Sequence, residues 1–136
     1  MNAEGLFDGF PADVRWACVA LTPDELAAVR YIHYSYWLEL SGGTRSPADA
    51  AERIRSGTRV YDIPTDGFLD AARAFADGAE WPELILVSGR EEQGNVVLEG
   101  HVRLTAMALA ADSVPREIEV LRGVSPRMVD WSQYRL

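Results

Sequence analysis

The sequence contains no lysine and only one cysteine, and each shortage excludes a kind of chemistry. All 13 basic residues among the 136 are arginine, so no lysine can form a Schiff base or complete a phosphate-binding loop that ends in Lys-Ser or Lys-Thr. Cys18 stands alone, which excludes an internal disulfide and a cysteine-based metal cluster.

Long apolar runs are missing as well. No stretch approaches the roughly 18 apolar residues of a membrane-spanning helix. The first ten residues, MNAEGLFDGF, lack the basic and apolar regions of a signal peptide. We therefore expect no membrane partner and a cytoplasmic protein.

The charge balance is acidic, with 21 acidic residues against 13 basic ones and a net charge of −8. A field of this sign repels nucleic acid and anionic lipid unless arginines cluster locally, so we expect no nucleic-acid partner. Hydrophobic residues make up 48% and charged residues 25% of the chain, which is the balance of a globular protein. The length suits one domain.

Capping and turn residues indicate where the helices and strands begin and end. Thr22-Pro-Asp-Glu25 has the form of a capped helix start, and Gly42-Gly43 the form of a helix end, so a helix is predicted over 24–40. The remaining predicted elements are helices over 48–55, 68–76 and 100–111, strands over 58–63, 83–88, 95–99 and 117–122, a hairpin turn over 89–94, and a terminal helix from Ser125.

These elements predict an α+β fold in a single domain, 1–136. Residues 1–57 would supply an N-terminal arm and helices, and residues 58–136 a small mixed sheet with flanking helices. The helix over 24–40 carries aromatic residues around nearly its whole circumference, which predicts a homodimer or a tightly bound partner on this helix. The alternative is that residues 1–21 fold back and cover it.

The segment Val97-Leu-Glu-Gly-His-Val-Arg-Leu-Thr-Ala106 carries the clearest chemical signal. A strand that ends on Glu99 and a glycine that turns directly into a helix bring unpaired N–H groups to the end of the strand, where they attract anions. Arginine holds phosphate with two hydrogen bonds, so His101 and Arg103 in the first helical turn are candidate phosphate ligands. A capped helix with two solvent-facing polar residues explains the same pattern.

The order strand, acid-Gly-His-x-Arg-Leu-x-Ala, helix, Val-Pro, strand resembles the ParB/sulfiredoxin-like superfamily over about Arg59 to Gly123. That resemblance implies a nucleotide held by Gly100, His101, Val102, Arg103 and Thr105. The sulfinic-acid reductases of the superfamily need a cysteine inside this motif, and the partitioning proteins carry a DNA-binding helix-turn-helix domain. Neither feature is present here, and the Glu-Gly-His-x-Arg form is most similar to the free-serine-kinase branch.

The resemblance implies an ATP-dependent kinase that acts on a hydroxyl of a small metabolite with Mg²⁺, and no metal site made of protein ligands alone. Glu99 and Asp62 are the catalytic candidates, and Asp66 is a further acid near the same edge. A turn-forming role for Asp62 beside Pro64 is an equally good interpretation. The alternative function is a non-catalytic nucleotide-binding or protein-interaction module with the same fold.

The loop Ser41-Gly-Gly-Thr-Arg45 offers two glycines, two hydroxyls and an arginine. It is either a second anion-binding loop or the end of one helix followed by the Ser46-Pro47 start of the next. We favour the second interpretation because Gly after a helix and Ser-Pro before one are the ordinary termination and start signals.

Overall fold

A computed structural model describes residues 6–90 and 94–135. The elements, in chain order, are β1 (Arg15–Leu21), α1 (Pro23–Ala27), α2 (Ser35–Ser41), α3 (Pro47–Arg55), β2 (Arg59–Val60), β3 (Ile63–Pro64), α4 (Gly67–Ala76), β4 (Ile85–Ser88), β5 (Val96–Glu99), α5 (His101–Leu109) and β6 (Ile118–Val124), with short 3-10 helices at Ala111–Ser113 and Pro126–Asp130. The chain has an α+β fold, as the sequence predicts.

The main sheet has four strands in the order β1-β6-β4-β5. Strands β4 and β6 run parallel, whereas β1 with β6 and β4 with β5 run antiparallel. Strands β2 and β3 form a separate two-stranded hairpin. Helix α5 packs against α3 and α4. No helix in the described ranges is long and apolar enough to cross a membrane.

Two apolar clusters lie on opposite faces of this sheet, because successive side chains of a strand alternate. The larger contains Leu86 and Val97 together with apolar residues from the first three helices and α5. The smaller contains Val87 and Val96, which pack with Met128, Trp131 and Tyr134 of the C-terminal segment. The N-terminal arm completes the smaller cluster: the rings of Phe7 and Phe10 lie 6.1 and 5.1 Å from that of Trp131.

The predicted helix over 24–40 is wrong as a single element. Its start is confirmed, since Thr22 and Glu25 form the reciprocal capping box, and its end is confirmed at Gly42, which has a left-handed backbone. Between Ala27 and Ser35, however, the chain leaves the helix, and Arg30 bridges to Val96 of β5.

Hydrogen bonds from distant segments account for this break. The Arg30 N–H donates to Asn95 O at 3.0 Å, Val97 N–H donates to Arg30 O at 2.9 Å, and Tyr31 N–H donates to Arg45 O at 2.9 Å. Tyr31 is fully buried and Ile32 nearly so. The segment therefore makes a single parallel bridge to β5, and its tertiary hydrogen bonds override a helical pattern.

The predicted dimer is based on one continuous helix over 24–40 with aromatic residues all round it. Because this helix is interrupted between Ala27 and Ser35, the dimer loses that support. The dimer itself stays a prediction. The alternative is that residues 1–21 cover the helix; in the described part of this arm, the rings of Phe7 and Phe10 pack against Trp131.

The predicted strand over 58–63 is also wrong as one element, because the chain reverses within it. Tyr61 and Asp62 have φ of 51° and 63°, and they connect β2 to β3 as a two-residue hairpin turn. Positive φ at both positions is the requirement of a type I′ turn, and Asp tolerates this conformation better than most residues.

The other predicted elements are confirmed within a few residues, and β4 and β5 pair as the hairpin that the sequence predicts. Residues 91–93 of its predicted turn lie outside the described ranges. The terminal helix is a short 3-10 helix, Pro126–Asp130, and Trp131 and Tyr134 after it are almost completely buried.

The loop between α2 and α3 consists of the C-terminal cap of α2 and the N-terminal cap of α3. Gly42 ends α2, and the Ser46 hydroxyl accepts from Asp49 N–H to cap α3. Arg45 is only 6% exposed. Its guanidinium donates to Tyr31 O at 2.8 Å and to Tyr134 O at 2.6 Å, and also to Arg135 O. These main-chain partners leave Arg45 little capacity for an external anion, which supports the favoured interpretation of the loop.

Arg45→Ala should lower the free energy of unfolding by about 3 kcal/mol or more, because several buried carbonyls lose a charged donor at once. Urea denaturation measures the loss. Arg55→Ala is the matched control, since this exposed arginine donates one bond to Leu109 O, and its removal should cost about 1 kcal/mol or less. Equal losses in the two variants would contradict the role given to Arg45.

Candidate functional site

The predicted strand–glycine–helix turn is present. Strand β5 ends at Glu99, Gly100 has a φ of 108°, and α5 begins at His101. A Cβ at position 100 would lie 2.5 Å from Leu84 Cδ2, so both the conformation and the space require glycine. Within the described chain no side chain caps this helix, which leaves first-turn N–H groups available to an anion.

His101 lies inside an aromatic cluster rather than in solvent. We define the aromatic cluster by the rings of Tyr31, Tyr36, Trp37, Tyr61, Phe68 and His101. The imidazole stacks on Trp37 with a centroid distance of 4.7 Å and on Tyr31 at 6.0 Å. Burial lowers the pKa of His101 to about 4, so the ring is neutral at pH 7 and carries no charge with which to bind phosphate.

The His101 ring also leaves one polar atom without a partner. Its Nε2 is buried and makes no hydrogen bond to the described residues. A buried unpaired nitrogen costs about 1–3 kcal/mol relative to a satisfied one. The first turn of α5 therefore contains a polar atom whose hydrogen-bonding capacity the fold does not use.

Thr105 is used within the fold. Its hydroxyl donates to His101 O at 2.8 Å and lies 2.6 Å from the Tyr31 hydroxyl. Because the Thr105 proton goes to the carbonyl, Tyr31 is the donor in that second bond. Thr105 is completely buried, and burial raises the pKa of Tyr31. The structure therefore places Thr105 beneath the turn, out of reach of a ligand at the helix start.

Arg103 folds back against the start of its own helix, where its Nε and one terminal nitrogen would lie 3.2 and 3.1 Å from a Cβ at position 100. One terminal nitrogen donates to Pro82 O at 2.6 Å, and the other lies 3.4 Å from Glu99 Oε1. The Arg103 side chain is 16% exposed, whereas that of Glu99 is 68% exposed. Arg103 therefore connects β5 and α5 to the loop before β4, and Glu99 is its partner at the surface. Val102, between these groups in sequence, is exposed.

Asp62 lies at the tip of the β2–β3 hairpin. Its side chain is 97% exposed and pairs with Arg59 Nε at 3.3 Å. This is the turn-forming role that the sequence offered as an alternative. The hairpin does approach the aromatic cluster, because the Tyr61 ring lies 6.4 Å from that of Tyr36. Asp66 precedes α4 and makes no capping bond.

The Mg²⁺ and ATP that the family resemblance implies stay a prediction. Mg²⁺ in phosphoryl-transfer sites is held by one or two carboxylates together with substrate phosphates. The two candidate carboxylates, Glu99 and Asp62, each pair with an arginine. In 6–90 and 94–135 no three His, Cys, Asp or Glu side chains gather at one place.

Sequence reasoning missed the aromatic cluster as a unit. The sequence pattern predicts one helix for the aromatic residues of 31–37 and a strand for Tyr61, and neither prediction brings their rings around His101. Comparison with protein-family models, with curated proteins and with solved structures found no match to this chain. The ParB-like resemblance therefore stays a prediction.

The burial of His101 predicts how stability depends on pH. The pKa is 6.5 in the unfolded chain and about 4 in the fold, so the unfolded state binds more protons between these values. Stability should rise by up to about 3 kcal/mol from pH 4 to pH 6.5 and level off above. In His101→Phe this contribution disappears. Chemical denaturation across the pH range measures it.

Val102→Ala is the control for this experiment, because Val102 is the exposed neighbour and carries no proton in this range. It should retain the full pH slope. A His101→Phe variant with the same slope as Val102→Ala would place the titrating group elsewhere.

Proposed function

We propose that the protein is a non-catalytic protein-interaction module with an α+β fold. The observation that carries this proposal is the internal use of Glu99, Arg103 and Thr105, which bond to partners within the fold. His101 is half-buried among aromatic rings, and its pKa, lowered to about 4 by desolvation, leaves it neutral at pH 7. The strand–Gly100–helix turn is present, but the hydrogen bonds of Glu99, Arg103 and Thr105 stabilise the fold and do not face a ligand.

The position of the acids supports this choice over a kinase. Phosphoryl transfer needs a carboxylate that orients the acceptor hydroxyl, and positive charge on the moving phosphate. Glu99 faces its own Arg103, and Asp62 faces Arg59 at an exposed tip. Both carboxylates are paired with arginines of the fold, and the partner of Glu99 is the arginine beside Gly100, so the kinase has less support than the module.

Exposed apolar surface supports an interaction role. The first four residues of β1 are exposed and the fifth, Val19, is half-buried. The fractional exposure of Trp16 is 45%. An aromatic ring at the surface is typical of a protein contact, since tryptophan is enriched at the centre of interfaces.

A second candidate is nucleotide or phosphate binding without transfer. It is favoured by the uncapped start of α5 together with the buried, unpaired Nε2 of His101. Main-chain N–H groups at such a position bind anions without help from a charged side chain.

Calorimetric titration with ATP, CTP and Mg²⁺ separates the two candidates, and Arg103→Ala tests the role of Arg103 in the fold. Under the proposed function neither protein should give a heat of binding, and the variant should lose about 1–3 kcal/mol of unfolding free energy. Arg73→Ala is the control, because this exposed arginine pairs with Asp70 on α4 and should change stability by less than about 0.5 kcal/mol. Nucleotide binding to the native chain, whether Arg103→Ala abolishes it or main-chain N–H groups sustain it, would overturn the proposed function.

A further inference from the structure

Strand β1 is an edge of the sheet, and the backbone shows which of its groups are free. Leu121 N–H donates to Leu84 O, and Ser125 N–H to Ser88 O, so the odd-numbered residues of β6 point toward β4. The even-numbered residues of β6 must then point toward β1. Their partners in register are Arg15, Ala17, Val19 and Leu21.

The alternate residues of β1 therefore direct their N–H and C=O groups away from the sheet. These residues are Trp16, Cys18 and Ala20, and all three are exposed. No strand in the described part of the chain pairs with this edge. The strand is regular over seven residues, with no shift in its register to β6.

Natural sheets protect an edge of this kind with lysine, proline, a bulge or a covering segment. Strand β1 contains none of the first three, and its central residues, Ala17 and Cys18, are exposed. Its one charged residue, Arg15, lies at the first position. Within 6–90 and 94–135, the edge is therefore open to another strand.

We propose that a second copy of this chain pairs with β1 antiparallel, about a two-fold axis at Cys18, to form one continuous sheet of eight strands. This register is self-complementary. It sets Cys18 opposite the partner's Cys18 and Trp16 opposite the partner's Ala20, and every one of these residues has its free N–H and C=O at the edge. Each facing pair exchanges two main-chain hydrogen bonds.

Side chains fit the same register. The ring of Trp16 leans over Gly123 of β6 in its own sheet, and the residue opposite Trp16 in the other copy is the small Ala20, so neither copy obstructs the other. Arg15 comes opposite the partner's Leu21, immediately before the first turn of α1, where Asp24 and Glu25 supply negative charge. At each end of the pairing, Arg15 of one copy therefore lies near acidic residues of the other, and this charge complementarity favours a second copy over a strand of unrelated sequence.

This inference rests on the proposed interaction function, because it names the partner. The two fail in different ways. Phosphoryl transfer or nucleotide binding through Arg103 would end the proposed function and leave the strand pairing intact, whereas a monomer would end the pairing whatever the chain binds.

Light scattering on the purified chain tests the pairing. We expect a mass of twice 15.0 kDa that falls toward the monomer on dilution. Cys18→Pro removes the central N–H, which faces the open edge and not β6, so β1 should stay in its own sheet. The dissociation constant should rise about tenfold or more, since the two-fold axis removes two hydrogen bonds at once. Cys18→Ser is the control and should dimerise like the native chain.

A thiol cross-link provides a test that does not depend on the folding of the proline variant. Cys18 is the only cysteine, so a short bis-maleimide should link two native chains. A variant with Cys18→Ser and Val129→Cys carries its thiol at an exposed position on the C-terminal 3-10 helix, and it should stay unlinked. A monomeric native chain, a dimer unchanged by Cys18→Pro, or equal cross-linking of the two thiol positions would each overturn the proposal.

Discussion

The buried guanidinium of Arg45 fixes the relation between three segments that are far apart in sequence. It donates to the carbonyl of Tyr31 and to carbonyls of the C-terminal segment 133–135, and no carboxylate pairs with it in the described ranges. Burial and the neighbouring Arg30 and Arg135 lower its pKa to about 10, so it stays charged at neutral pH. A charge in this position is tolerated because main-chain carbonyls replace its hydration.

The candidate site depends on this arrangement. The carbonyl of Tyr31 accepts from Arg45, its N–H donates to Arg45 O, and its side chain reaches Thr105 of α5. The backbone of 28–34 is thereby held beside β5, which brings the rings of Tyr31 and Trp37 against His101. The Glu-Gly-His-x-Arg motif resembles a phosphate-binding turn in sequence, but its His101 packs against Tyr31 and Trp37, which come from another part of the chain.

Local signals predicted most of the fold, and long-range hydrogen bonds explain what they missed. The capping box of Thr22 and Glu25, the Ser46 cap and the Gly100 turn act over three or four residues, so the sequence shows them directly. The extended segment around Arg30 depends on Asn95 and Val97, more than 60 positions away, and nothing local distinguishes it from a helix. The candidate site was the hardest part to predict. Arg103 bonds to Pro82 O and His101 stacks on Trp37, and the spacing of residues within the motif gives no information about either partner.

The absence of lysine has a structural consequence at the sheet edge. Lysine protects edge strands because its long charged side chain must remain hydrated and cannot enter a second sheet. In this chain that role falls to arginine, and β1 has one only at its first position, while Trp16 to Ala20 offers small or flat side chains and alternating free main-chain groups. Exposed hydrogen-bonding groups of this kind are stable in water, but the adjoining apolar side chains gain free energy only when they are covered. Solvent can therefore satisfy the free main-chain groups of this strand but not its apolar side chains, whereas another strand satisfies both.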